Sequence, residues 1–413
     1  MEGTFASRGV SSRGRSCRGL WGRAFRPFFL GLALQGALAI PFWTGAWLGA
    51  VQSPHWLAPI WWHGHEMIFG FVAAAIAGFL LTASPVWSGG PALVGGPLAS
   101  LFVLWALGRI TFAAADVVPA GVLALIDVGF LPAVAAVVVR TLRGSGQTRN
   151  YGVAGIVAVL ALANAAMHAE ALGLATGVAS RALRFAVDVV VLLLVVISGR
   201  ITPAFTRNAL RGAGSDADVV ARPALAQGTV GLVAAMALVR LVLGAGVASG
   251  TLAGLAGLGV LVQLSGWQSW AVRRDPLVWS LHAGSVWLGA GLLLVACSDA
   301  VVGGLPPSAG LHALTAGAMG SSILAVITRV SLGHTGRPLV LPPGIVACYF
   351  LVHLAALARV LASLSGGFSG DFAGPAYRVL LITSGLAWGL AFLGFLVRYT
   401  GILMRPRADG RPG

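Results

Sequence analysis

The chain contains no lysine, only 12 acidic residues among 413, and three cysteines. Each scarcity excludes something. Charged residues make up 9% of the sequence, against roughly 25% in a soluble domain. With 57% hydrophobic residues and a mean hydropathy of +0.89, this composition describes a polytopic membrane protein in contact with the lipid bilayer. Cys17, Cys297 and Cys348 are far apart and form no Cys-x-x-Cys pair, which excludes a disulfide framework and a cysteine-ligated zinc site. No phosphate-binding Gly loop, Ser-His-Asp arrangement or His-Glu-x-x-His helix is present, so hydrolase and ATPase chemistry has no basis.

The formal charge of +15 comes entirely from arginine. Such a balance raises nucleic acid as a partner, but the arginines sit in short loops between apolar runs, with little soluble surface to meet a duplex. A helix needs about 20 apolar residues to cross the hydrocarbon core. Twelve such runs occur, over residues 27 to 49, 62 to 83, 97 to 115, 119 to 140, 151 to 171, 181 to 199, 225 to 247, 249 to 270, 277 to 298, 308 to 330, 342 to 362 and 377 to 400. The expected class is all-α, with about twelve transmembrane helices over residues 27–400, an Arg-rich segment over 1–26 and a tail over 401–413. With both termini cytoplasmic, 21 of the 27 arginines fall on the inner side, as the positive-inside rule requires. The first apolar run is too long for a signal peptide and no small-x-small cleavage site follows it, so it reads as a retained span. The stretch from 200 to 224, with Pro203, Gly212, Gly214, Asp216 and Asp218, reads as the one long polar loop.

Spans 2, 6 and 10 each end in a similar segment: Gly78-Phe79-Leu80-Leu81-Thr82, Gly199-Arg200-Ile201-Thr202 and Ala325-Val326-Ile327-Thr328. The repeat suggests three pseudo-equivalent four-helix units.

Polar side chains inside spans mark the candidate sites, because each costs several kcal/mol there unless it finds a partner or a metal. Span 2 opens with Trp61-Trp62-His63-Gly64-His65-Glu66-Met67. His63 and Glu66, three apart, share a helix face, whereas His63 and His65 point in nearly opposite directions. His312, one turn into span 10, lies at the depth of His63. The pair is what a six-coordinate haem requires, with Ala316, Gly317 and Ala318 leaving room for a flat macrocycle. An interhelical hydrogen bond is the competing reading for each. His65, Glu66 and His168 are candidates for copper or a second metal, against a solvated loop position for His168. His282 and His353 read as intramembrane hydrogen-bonding residues with a ligand role second, His334 as interfacial, and His55 as solvated. Arg109, Asp127, Asp188 and Arg240 read as ion pairs or a proton route. Arg181, Arg184, Arg359 and Arg378 lie near outer helix ends, against the charge trend, and haem propionates at that level would account for them.

The segments Phe25-Arg26-Pro27-Phe28-Phe29-Leu30, His63 to Phe71, Ile201-Thr202-Pro203-Ala204-Phe205-Thr206-Arg207 and Leu311 to Pro338 together resemble NnrS proteins over nearly the whole chain. NnrS proteins are bacterial membrane proteins containing haem and copper, associated with denitrification and tolerance of nitric oxide. The resemblance therefore implies haem, copper, an inner-membrane location and a nitric oxide context. His63-Gly64-x-x-Met67-Ile68-Phe69 is also similar to the second helix of haem-copper oxidases, where that histidine ligates the low-spin haem. The partner there comes from helix ten, near the position of His312. Spans 6 and 7 have no histidine, so the three-histidine copper site of those oxidases is missing. A transporter of a small solute or metal complex, with the intramembrane histidines and acids as its coupling site, is the alternative function.

Overall fold

The computed structural model describes residues 19–143, 150–300, 304–369 and 374–411. Among them every regular element is helical, and twelve helices are long and apolar enough to cross a membrane. They are α1 (Phe25–Trp47), α2 (Pro59–Ser88), α3 (Gly95–Ala113), α4 (Ala120–Leu142), α5 (Tyr151–Ala171), α6 (Ala179–Gly212), α7 (Pro223–Leu243), α8 (Val247–Ser265), α9 (Pro276–Ala300), α10 (Pro307–His334), α11 (Ile345–Ser369) and α12 (Pro375–Met404). Each expected span overlaps one helix. The Arg-rich segment before Gly19, with Cys17, lies outside the described residues.

One expectation is overturned. Residues 200–212 are not loop, because α6 continues through them with Pro203 inside the helix. Thr206, one turn beyond Pro203, is fully buried and Leu210 nearly so. Tertiary packing of this face outweighs the helix-breaking tendency of the proline. The polar connection is confined to residues 213–222.

Neighbours in sequence pack as antiparallel pairs, and α12 returns to pack along α1, so the helices close into a ring. Inside it stand α2, α6 and α10, the three most buried spans. Together with Phe29 they line an apolar cavity of ≈ 100 Å³, between Val72 to Leu80, Val190 to Ile197 and Met319 to Ile327. Their terminal threonines are all buried, and each meets a different partner. Thr82 Oγ accepts from the Phe25 amide at 3.0 Å, Thr202 Oγ lies 3.4 Å from Ser198 Oγ, and Thr328 Oγ lies 2.6 Å from the Tyr349 hydroxyl.

Both α2 and α10 start with proline at the first helical position, where its missing N–H and fixed φ are an advantage. Both then pass through a π-helical stretch, Glu66–Val72 in α2 and Ala313–Gly320 in α10, directly after the candidate histidines. A π turn inserts an extra residue and detaches backbone carbonyls from the regular ladder. In α2 the Gly70 carbonyl accepts from the Ala73 amide and also from Trp105 Nε1 at 3.0 Å. The membrane face that carries Gly19 and the end of α12 is here the termini face; α2, α6 and α10 begin at the opposite, far face.

Candidate functional site

Asp127, two turns into α4, is the hub of a polar cluster near the far face. Its Oδ2 accepts from His65 Nε2 at 3.1 Å, from Asn164 Nδ2 at 2.8 Å and from His168 Nε2 at 3.0 Å. Its Oδ1 accepts from Arg109 Nη2. Arg109 Nη1 donates in turn to Glu66 Oε1 at 2.5 Å, and Gln35 Nε2 holds the other Glu66 oxygen at 2.8 Å. Five helices supply these groups. His65, Glu66, Asp127, Asn164 and His168 are each under 4% exposed or at that value.

Charge bookkeeping says what the cluster attracts. Two carboxylates face one guanidinium, so with neutral imidazoles the buried unit carries one negative charge, which a proton or a bound cation compensates. His65, Asp127 and His168 each present a ligand atom, and these lie within 4.8 Å of one another, so the group can hold a metal ion. His65 Nε2 also lies 2.8 Å from Asn164 Oδ1 and Nδ1 lies 3.4 Å from Glu66 Oε1, so a metal on Nε2 would require the ring proton to move to Nδ1, toward that carboxylate. His168 Nδ1 is buried without a partner among the described residues. Aromatic rings wall the site from water. Phe112 stacks on His65 with ring centroids 4.1 Å apart, and Trp56 meets His65 at 5.0 Å and His168 at 5.3 Å.

The second group lies around His63, His312 and Arg359. His63 and Arg359 are both within electrostatic reach of His312 although they belong to α2, α11 and α10. His63 stacks on Trp43 with centroids 4.7 Å apart and planes 7° from parallel, and its nitrogens make no hydrogen bond to any described residue. His312 Nδ1 lies 2.7 Å from the Ser308 carbonyl. A carbonyl can only accept, so Nδ1 carries the proton and Nε2 keeps a free lone pair, the tautomer of a ligating imidazole. All three residues are half-buried.

The remaining candidates are dispersed. Arg378 is exposed near the start of α12. His282 is saturated: Thr206 Oγ, whose own proton goes to the Thr202 carbonyl, accepts from Nε2 at 2.8 Å, so Ser269 Oγ donates to Nδ1 at 2.7 Å. His353 Nδ1 accepts from Trp287 Nε1 at 3.1 Å, which puts its proton on Nε2 and leaves no lone pair for a metal. His334 is exposed at the termini end of α10, its ring against Phe25 at 5.6 Å. His55, also exposed, meets Asp116 at 2.6 Å, and the His55 amide and ring together hold the Asp116 carboxyl below its ordinary range.

One expectation needs correction. His168 is not a loop histidine: it ends α5 on the buried side, 2% exposed. Glu66 serves Arg109, Gln35 and His65, while His63 on the same helix stacks on Trp43, so the helix meets different partners. Arg109 with Asp127, and Arg240 with Asp188, are ion-paired as expected. Asn164 and Gln35 carried no sequence signal, being single neutral amides in apolar runs.

The fold and these groups define a twelve-span, all-helical membrane protein with a buried histidine–carboxylate centre beside a second histidine pair. The chain belongs to the family of NnrS proteins, whose model matches residues 19–407, nearly the whole sequence. No curated protein matches it.

Proposed function

We propose that the protein is a haem- and copper-binding inner-membrane protein that handles nitric oxide, with both termini cytoplasmic. His63 and His312 would hold the haem, with Arg359 beside them to meet a propionate. His65, Asp127 and His168 would hold copper, with Glu66 and Arg109 setting the charge and orientation of the ligands. The observation that carries the reading is the His312 tautomer: a backbone carbonyl engages Nδ1 and leaves Nε2 its lone pair, within electrostatic reach of a histidine whose nitrogens bond no described residue. A haem held by both imidazoles would supply one-electron transfer, and a copper ion in the other group would supply the coordination position for nitric oxide. The protein's own part is to orient the imidazoles, exclude water with Trp56 and Phe112, and balance the buried charge.

The transporter alternative would use the same negative centre as a coupling site. Absorption spectra and metal analysis of purified protein separate the two. A Soret band lost in both His63→Ala and His312→Ala but kept in His334→Ala, with copper lost in His168→Ala, is the expected result. Absence of a Soret band from the wild type, together with solute flux in liposomes, would overturn it in favour of transport.

A further inference from the structure

A second polar cavity lies apart from the histidine groups, at the far face between the start of α6 and the end of α7. Its volume is ≈ 210 Å³ and it is lined by Arg181, Arg184, Asp188 and Arg240 together with the turn from Leu241 to Ala245. Arg240 is clamped at the bottom: Nη1 donates to Asp188 Oδ1 at 2.8 Å and Nε lies 3.2 Å from Asp299 Oδ2, which Ser249 Oγ also engages at 2.8 Å. Both carboxylates are 2% exposed. Arg181 and Arg184, three apart on one face of α6, are exposed and make no hydrogen bond to any described residue. The start of α6 is already engaged, since the Ala179 amide donates to Glu170 Oε2 at 2.7 Å. The cavity's own cationic groups are the guanidinia.

Three guanidinia against two carboxylates leave one positive charge, a surplus that a singly charged oxyanion cancels. The neighbouring surface favours a diester over a free ion. Leu238, Val242 and Leu243 are 57%, 75% and 77% exposed on a membrane-spanning helix that ends beside the arginines. An acyl chain on those side chains would bring its phosphate to the cavity mouth.

We infer that this cavity is a phosphate-binding site, filled by the headgroup phosphate of a phospholipid in the far-face leaflet. The inference is independent of the haem and copper reading. Its test is native mass spectrometry of the full chain in mild detergent, with a parallel arm of equilibrium dialysis of delipidated protein against labelled inorganic phosphate. Wild type is expected to retain one phospholipid per chain. The double variant Arg181→Gln/Arg184→Gln should lose occupancy by about tenfold or more, as expected from removing charge-assisted bonds, while its thermal unfolding and Soret absorbance stay at wild-type values. Restoration by Arg181→Lys/Arg184→Lys would show that positive charge is what holds the ligand. Binding of inorganic phosphate with no retained lipid would uphold the phosphate site and overturn the lipid as its source. No binding in either arm, or equal binding in the double glutamine variant, would overturn the site itself.

Discussion

Asp127 shows how much one side chain in a membrane interior can be asked to do. It accepts from Arg109, His65, His168 and Asn164, and no other described carboxylate gathers four partners. Asp127→Asn would keep the shape but turn an amide N–H toward a crowd of donors and leave Arg109 with Glu66 alone. Breaking a buried pair from one side costs roughly 3–5 kcal/mol, so the variant should unfold at clearly lower temperature in detergent than wild type. An unchanged unfolding curve would refute the hub. The residues of this centre were unevenly legible in the sequence. His65, Glu66 and His168 stood out because imidazole and carboxylate are expensive in an apolar span. Asp127 was legible as half of an ion pair, but its role as a shared acceptor depends on which helices surround α4, and no residue pattern encodes that directly. The same holds for tautomers: the sequence makes His312 and His353 equal, and only the Ser308 carbonyl and the Trp287 indole distinguish them.

At the scale of elements, the π stretches explain why the site could not be read from helical periodicity alone. Twelve spans, their order and their approximate ends follow from hydropathy, because length and apolarity are local properties. A π turn is a response to packing. In α2 the Gly70 carbonyl takes a second bond, from Trp105 on α3, beside the one from the Ala73 amide. Trp105→Phe keeps most of the ring volume but removes that bond, a net loss of about 0.5–1.5 kcal/mol. Gly70 has its own constraint: a Cβ there would lie 2.5 Å from Arg109 Nη1, the nitrogen that donates to Glu66. Gly70→Ala must therefore displace the guanidinium, at about 1–3 kcal/mol by the usual cost of overpacking. If the π stretch exists to carry the site, both variants should lower thermal stability and alter the metal content of the centre. Trp105→Phe leaving both unchanged would show the Gly70 contact to be incidental.

On the scale of the whole molecule, the ring is closed where its two ends meet on the termini face. Residues after α12 fold back over the end of α10: the Ala408 amide donates to the Thr335 carbonyl at 2.9 Å, and Arg407 donates to the His334 carbonyl at 3.0 Å. Arg407 also forks onto Asp409, and this contact holds the Asp409 carboxyl well below its ordinary range. A depressed carboxyl contributes stability above its ordinary value and loses it as pH falls through the lower, folded one. The tail should then resist proteolysis down to about pH 4, the ordinary Asp range, and loosen only in stronger acid, whereas Asp409→Asn should be cleaved readily at neutral pH. Equal cleavage of the two at neutral pH would remove the ion pair from the account.

Arg26 makes the closing contact itself. Fully buried at the start of α1, it donates through Nη1 to the Leu403 carbonyl at 2.8 Å and the Arg405 carbonyl at 2.6 Å, at the end of α12. Those carbonyls have no helical partner, as at any helix C-terminus. Two effects oppose each other here. Burying the guanidinium costs solvation, the largest opposing effect, with Arg337 and Arg407 also within electrostatic reach and Nε and Nη2 without a partner among the described residues; against this, losing Arg26 would leave the two carbonyls stranded. Repulsion from exposed like charges amounts to under about 1 kcal/mol, while a hydrogen bond from a charged donor is worth roughly 1.5–3 kcal/mol and there are two. The hydrogen bonds win. Arg26→Met, which keeps the apolar stem, should therefore lower the unfolding temperature and separate the end of α12 from α1, seen as faster amide exchange over residues 399–405. Arg337→Gln, which removes repulsion and leaves the latch intact, should be neutral or slightly stabilising. If Arg26→Met instead matched the stability of wild type, the ring would be held by helix packing alone and Arg26 would have to be explained by some other duty on the termini face.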